Sequence, residues 1–64
     1  MQTKYNIGDI LLDTTIYVHY LVQDIKKPSK INNALYTLLV LETGKVVSYN
    51  LSTLENWQTM VKLA

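Results

Sequence analysis

The segment that most constrains the fold of this chain is 35–42, Leu-Tyr-Thr-Leu-Leu-Val-Leu-Glu, which is followed by Thr43-Gly44 and a second strand-like segment, 45–49. This pattern predicts a β-hairpin whose first strand is apolar on both faces. A strand at the surface of a small sheet normally alternates apolar and polar residues, because only one of its faces meets a core. Something must therefore cover both sides of this strand.

Length and composition leave few ways to stabilise such a fold. A chain of 64 residues forms one domain, 1–64, and buries only about 60% of the surface that it exposes when unfolded. It has no cysteine, which excludes disulfides and thiolate zinc sites, and one histidine, His19, which is too few for a structural zinc site. The remaining sources of stability are the apolar residues, 48% of the chain, and self-association.

The charged residues and the apolar runs limit the possible ligands and the expected location of the protein. Six lysines face five acidic residues and there is no arginine, which weakens any prediction of specific nucleic-acid binding. The net charge of +1 gives little repulsion between copies. No apolar run is long enough to span a bilayer, and none after residues 1–4 resembles a signal peptide, so we expect a soluble, cytoplasmic protein.

The first half of the chain predicts two strands and a loop. A short strand over 9–13 leads into a turn at Asp13, whose carboxylate can accept from its own downstream backbone. The β-branched and aromatic residues of 16–25 predict a long strand. The polar segment 26–33 predicts a loop. The long strand should direct one alternating set of side chains into the core: Ile16, Val18, Tyr20 and Val22.

The second half predicts a hairpin and a helix. Gly44 is expected to take a left-handed conformation in the hairpin turn. The segment 52–55, Ser-Thr-Leu-Glu, matches a capping box, and the following residues predict a short helix over about 53–62 that packs on the sheet. One stripe of the helix would be apolar: Leu54, Trp57, Val61 and Ala64.

The element order resembles that of SH3-like small barrels of the Tudor and KOW type. The resemblance is carried by Ile7-Gly8-Asp9-Ile10, by the end of the long strand at 20–25, by the hairpin 36–45 and by the closing segment 51–54. The chain also resembles short proteins of tailed bacteriophages that share the Gly-Asp start and the Thr-Gly-Lys hairpin. The expected fold is therefore mainly β: a small bent antiparallel sheet, or an open SH3-like barrel of 4–5 strands, with a short C-terminal α-helix where such barrels normally carry a fifth strand.

Large apolar and aromatic residues exceed what one minimal barrel can hide. Tyrosine and tryptophan are enriched in interface cores, where one end of the side chain is apolar and the other can form hydrogen bonds. We therefore expect a non-enzymatic protein-binding module that self-associates and, as the phage resemblance implies, binds or inhibits a host protein. The predicted interface residues are Tyr17, Leu21, Tyr36, Tyr49 and Trp57.

Nucleic-acid binding is the alternative function. The loop lysines Lys26, Lys27 and Lys30 could contact phosphates, with nearby tyrosines as a stacking platform. KOW-type domains bind RNA or polymerase through basic loops, and Tudor-type domains bind methylated side chains in an aromatic cage. Aromatic faces attract cations, and four tyrosines could supply such a cage, although the sequence does not match them to the family's cage positions: Tyr17, Tyr20, Tyr36 and Tyr49.

Catalysis, metal binding and a cofactor are not predicted. His19 with Asp9 or Asp24 could form an acid–base pair, but no serine lies in a nucleophile motif. The aspartates Asp9, Asp13 and Asp24 do not follow the alternate spacing of a calcium-binding loop. We expect these carboxylates to lie at turns and strand ends.

Overall fold

The chain forms one antiparallel sheet and one short helix. The computed structural model describes residues 3–27 and 34–64. In chain order the elements of this part of the chain are β1 (Ile10–Asp13), β2 (Val18–Lys26), β3 (Leu35–Val40), β4 (Val46–Asn50), α1 (Leu51–Glu55) and β5 (Met60–Lys62). The five strands lie side by side in the order β4-β3-β2-β1-β5. The predicted mainly β fold with a short helix near the C-terminus is confirmed.

The long second strand holds the centre of the sheet. β2 pairs with β1 on one side and with β3 on the other, and its register to β3 shifts between Val22 and Asp24, where the strand carries one extra residue. Tyr20 and Val22 are buried, as the alternation predicts. Ile16 is a correction: it was expected in the core, but it lies in the loop before β2 and its residue surface is 59% exposed. Because Ile16 lies outside the strand, the alternation of β2 does not direct its side chain into the core.

The two faces of β3 have different surroundings. Tyr36 and Leu38 are fully buried on one face, whereas Leu35 and Leu39 on the other face are only half-buried. Segments outside the sheet contribute Tyr5, Leu54 and other side chains to the first face, so one apolar side of the strand is covered as expected. The core consists of Tyr5, Leu11, Tyr20, Val22, Tyr36, Leu38, Leu54 and Met60.

The predicted helix over 53–62 is wrong in length and position. The helix occupies Leu51–Glu55, and Met60–Lys62 forms a strand instead. In β5, Met60 is buried and Val61 is 41% exposed, which is the alternation of a strand. Pairing with β1 also satisfies backbone groups that would otherwise lie at the sheet edge, a contribution that a helix cannot make.

The predicted capping box is also absent. Asn50 is the N-cap of α1, and no side chain caps that end of the helix. The carboxylate of Glu55 instead accepts a hydrogen bond from the Lys4 amide at 2.8 Å and one from the Tyr36 hydroxyl at 2.6 Å. A five-residue helix is unstable alone. It is held here by the burial of Leu54 and by the tertiary contacts of Glu55.

Candidate protein-interaction surface

The loop between β1 and β2 presents two large apolar side chains to solvent. Tyr17 is 74% exposed and Ile16 is 59% exposed. The loop is closed by a hydrogen bond of 2.7 Å from the Tyr17 amide to the Asp13 carbonyl. The Asp13 carboxylate also accepts from the Thr15 amide at 3.0 Å, which confirms the turn predicted at this aspartate. The tip is therefore apolar, exposed and fixed at its base.

Tyr17 adopts a backbone conformation that is unusual for an aromatic residue. Its φ is +55°, and among the described residues it is the one non-glycine residue with a positive φ. The left-handed region costs an L-residue roughly 1–2 kcal/mol, and bulky residues rarely occupy it. Since most of the ring faces solvent, packing within the chain offsets little of this cost. A strained, exposed aromatic residue is a recognised indicator of a functional site.

A row of apolar side chains crosses the sheet on the face opposite the core. Directly paired residues of antiparallel strands project to the same face, and the pairs Ile10–Leu21, Leu21–Leu39 and Leu39–Val46 connect four strands. The first three side chains are half-buried and Val46 is 58% exposed. We name these four residues the outer row. They form the second apolar side that the sequence of β3 predicts.

The His19–Glu42 pair joins the two hairpins. The carboxylate of Glu42 accepts from the His19 amide at 2.8 Å and contacts the His19 ring Nδ1, while the Leu41 amide donates to the His19 carbonyl at 2.9 Å. The hydrogen bond from the His19 side chain, followed by that from its amide, lowers the pKa of Glu42. These contacts fasten the β3–β4 turn beside the start of β2, so that exposed Leu41 lies near the loop of Tyr17.

The five predicted interface residues lie in three places: the loop tip, the outer row and the core side of the sheet. Tyr17 lies at the loop tip and Leu21 lies in the outer row. Tyr49 and Trp57 pack edge to face on the core side, with ring centroids 5.2 Å apart, and both contact the core. Two residues that the sequence analysis did not select for the interface are also exposed: Ile16 precedes Tyr17 in the loop, and Val46 belongs to the outer row with Leu21.

Tyr36 is a correction to the predicted interface. Its side chain is fully buried and it stacks edge to face with Tyr5 in the core, so it is not available to a partner. Burial, followed by the hydrogen bond to Glu55, raises the pKa of Tyr36 to about 12. Its hydroxyl also accepts from the Tyr5 amide at 3.2 Å. Tyr36 is thus the polar link that ties the N-terminal segment and α1 to the sheet.

Trp57 connects two strands that are not neighbours in the sheet, β4 and β1. Its ring packs on Tyr49 of β4, while its Nε1 donates to the Thr59 hydroxyl at 3.0 Å. Thr59 in turn donates to the carboxylate of Asp13 in β1 at 2.9 Å. The predicted packing of Trp57 against the sheet is therefore present, but a loop residue supplies it rather than a helix.

The lysines of the alternative function lie far from the exposed tyrosine. Lys26 ends β2 and Lys27 follows it, while Lys30 lies outside the described residues. Tyr17 precedes the first residue of the same nine-residue strand, and a strand rises about 3.3 Å per residue. Tyr20 and Tyr36 are buried. The described part of the chain therefore does not place Lys26 and Lys27 beside the exposed ring of Tyr17.

Of the residues considered for acid–base chemistry or metal binding, His19, Asp9 and Asp13 have structural partners. His19 contacts Glu42 rather than Asp9 or Asp24. The carboxylate of Asp9 accepts from the Asn6 amide at 2.8 Å and lies 3.6 Å from the Lys62 ammonium. Within residues 3–27 and 34–64, no three histidine or acidic side chains come together as a metal site would require.

Comparisons with known proteins found no similar protein. No family model matches the chain, and neither the curated proteins nor the solved structures provide a match. Within the described ranges, no helix combines the length and the apolar character that crossing a membrane requires.

Proposed function

We propose that this chain is a small, non-enzymatic protein-binding module that self-associates. The observation that carries this proposal is the loop tip of Ile16 and Tyr17, where two large side chains are held in solvent and one of them has a strained backbone. Apolar surface of this kind, fixed by a hydrogen-bonded base, is typical of protein interfaces. The outer row adds a second apolar surface, on the face of the sheet opposite the core.

The proposal extends to the kind of protein and its setting. We place the chain among SH3-like small-barrel proteins of the type that tailed phages encode, acting in the host cytoplasm by binding or inhibiting a host protein. The fifth strand beside β1, with a short helix between the fourth and fifth strands, supports the SH3-like part of this proposal. The mechanism is occupation of a partner surface by the loop tip, with Tyr17 as its anchor.

The test is affinity capture from the native host lysate with the wild-type chain and two variants. Tyr17→Gly removes the ring and also the strain, because glycine adopts a positive φ readily. Tyr17→Phe keeps the ring and the strain and serves as the matched control. We expect a partner that wild type and Tyr17→Phe both enrich, and that Tyr17→Gly enriches at least about tenfold less, as the loss of an aromatic anchor implies.

Thermal unfolding of the same variants separates binding from folding. Tyr17→Gly is expected to melt at a higher temperature than wild type, so a loss of binding cannot be attributed to unfolding. If every captured protein is enriched equally by wild type and Tyr17→Gly, the loop tip is not the binding surface.

A further inference from the structure

We infer that strand β4 is the edge along which a second copy of this chain pairs, in antiparallel orientation, to extend the sheet across both copies. The inference rests on the proposed self-association and names the surface that performs it. It is carried by the backbone groups that β4 directs away from the sheet and by the composition of this strand.

The hydrogen-bond register shows which backbone groups of β4 are directed outward. The Val40 amide donates to Lys45 and the Leu51 amide donates to Ala34, so the alternate residues between these positions, Val47 and Tyr49, face β3. Of the three remaining residues of the strand, Asn50 is the N-cap of α1, and Val46 and Ser48 direct their amides and carbonyls outward. No residue in the described part of the chain forms a hydrogen bond with them.

The outward side of β4 lacks the features that keep strand edges from associating. Natural edges are protected by charged side chains, proline, bulges or very short strands. β4 has five residues, Val-Val-Ser-Tyr-Asn, with no charge and no proline, and its pairing with β3 contains no register shift. Val46 is 58% exposed beside this edge.

The opposite edge of the sheet is protected in three ways. β5 has only three residues. Of its outward positions, Met60 already donates its amide to the Trp57 carbonyl at 3.2 Å. The other outward position, Lys62, carries a charge and pairs with Asp9. A partner strand would therefore find a complete set of free groups on β4 and not on β5.

A second copy fits β4 because the strand is complementary to itself. Two copies related by a two-fold axis set the outward amides of each strand against the outward carbonyls of the other. No charged side chain lies within 46–50, so the pairing brings no like charges into contact within the strand. The net charge of +1 adds little repulsion between copies. Pairing would also cover Val46, the exposed end of the outer row.

The chain contains no cysteine, so a single introduced thiol reports proximity between copies. Val46→Cys and Ser48→Cys place a thiol on β4, and Val61→Cys places one on the exposed side of β5 as a control. Opposed strand positions lie within disulfide distance. Under mild oxidation of dilute protein, we expect cross-linked dimers from at least one β4 variant and none from Val61→Cys. Cross-linking through Val61→Cys alone would overturn the inference.

Light scattering during gel filtration measures the equilibrium directly. Val46→Lys adds a charge at the edge, and Val46→Thr, which keeps a β-branched side chain, is its matched control. We expect wild type and Val46→Thr to form dimers and Val46→Lys to shift the equilibrium toward monomer by about tenfold or more. Circular dichroism melts confirm that both variants fold.

The outcomes separate the inference from the function on which it rests. A monomeric wild type at high concentration would contradict self-association itself. A wild-type dimer that Val46→Lys leaves intact would contradict only the assignment to β4. Wild-type binding of an unrelated strand-forming peptide at β4, without dimerisation, would likewise overturn the assignment to a second copy.

Discussion

The β1–β2 and β3–β4 turns share a backbone geometry, but one is strained and the other is not. In each, the amide of the fourth residue after the first strand donates at 2.7 Å to the carbonyl of the last residue of that strand. This fourth residue is left-handed in both turns, with φ of +55° at Tyr17 and +75° at Gly44. Glycine meets this requirement without strain, whereas tyrosine does so at a cost. The difference fits the proposed function, in which the β1–β2 turn presents Tyr17 to a partner and the β3–β4 turn closes a hairpin.

The anchors of the two turns differ as well. The carboxylate beneath the Tyr17 loop belongs to Asp13, which is 3% exposed and accepts from the Thr15 amide and the Thr59 hydroxyl. The carboxylate of the other turn belongs to Glu42, which is exposed and accepts from His19. The strained turn therefore has the buried anchor. A rigid base can hold the exposed Tyr17 in an unfavourable backbone conformation.

Removal of the buried anchor should have the largest effect on stability. Asp13→Ala leaves two donors without their carboxylate acceptor, and hydrogen bonds to charged groups contribute about 1.5–3 kcal/mol each. We expect a loss of about 2–3 kcal/mol in urea unfolding, with Asp13→Asn closer to wild type because its side-chain oxygen can still accept. Equal losses for both variants would mean that the charge of Asp13, rather than its acceptor geometry, matters.

Gly44→Ala tests the unstrained turn. A Cβ at this position meets no atom within 4 Å, so the cost of the substitution is conformational and not steric contact with the rest of the fold. We expect a destabilisation of about 1–2 kcal/mol by urea unfolding. Gly44→Asn is the control, since asparagine tolerates the left-handed region better. An unchanged stability for Gly44→Ala would show that the turn can close in another conformation.

Features set by local turn residues could be predicted from the sequence, whereas features set by long-range contacts could not. The β3–β4 turn was predictable because Thr43-Gly44 is a local signal, and the fifth strand was not, because Met60–Lys62 becomes a strand only by pairing with β1. The helix prediction failed for a similar reason. Glu55 matches a capping box in sequence, but the structure uses it to hold Lys4, 51 positions away along the chain.

The candidate surface was predictable only in part. The surplus of aromatic residues correctly indicated that some large side chains stay outside the core, and Tyr17 does. Which tyrosines do so depends on tertiary packing, which buries Tyr36 against Tyr5 and pairs Tyr49 with Trp57. Ile16 fits the alternation of β2 in sequence, but the strand begins only at Val18, so Ile16 belongs to the preceding loop. No local signal marks a positive φ at a tyrosine.

Tyr17→Gly should stabilise the chain by about 0.5–1 kcal/mol. The substitution relieves about 1–2 kcal/mol of left-handed strain, while glycine increases the entropy of the unfolded chain and offsets part of that gain. The expected result is a melting temperature a few degrees above that of wild type. Tyr17→Phe, which retains the conformational cost, should melt with wild type. A lower melting temperature for Tyr17→Gly would mean that the ring stabilises the fold, and the contrast between the two turns would then be lost.

Glu42→Gln should have the smallest effect on stability, and this effect is detected through the pH dependence of unfolding. The pKa of Glu42 is lowered in the folded chain by its hydrogen bonds to His19. A carboxylate with a depressed folded pKa stabilises the fold at pH values above its unfolded pKa, and this contribution is lost as the pH falls through the folded pKa. Wild type should therefore lose stability below about pH 4.5, the ordinary value for this carboxyl, more steeply than Glu42→Gln. Because the carboxylate is exposed, salt should reduce the difference. If the melting temperatures of wild type and Glu42→Gln fall equally as the pH is lowered, the charge of Glu42 contributes nothing to the stability of the β3–β4 turn. The contrast between the turns would then depend on Asp13 and on the two left-handed residues alone.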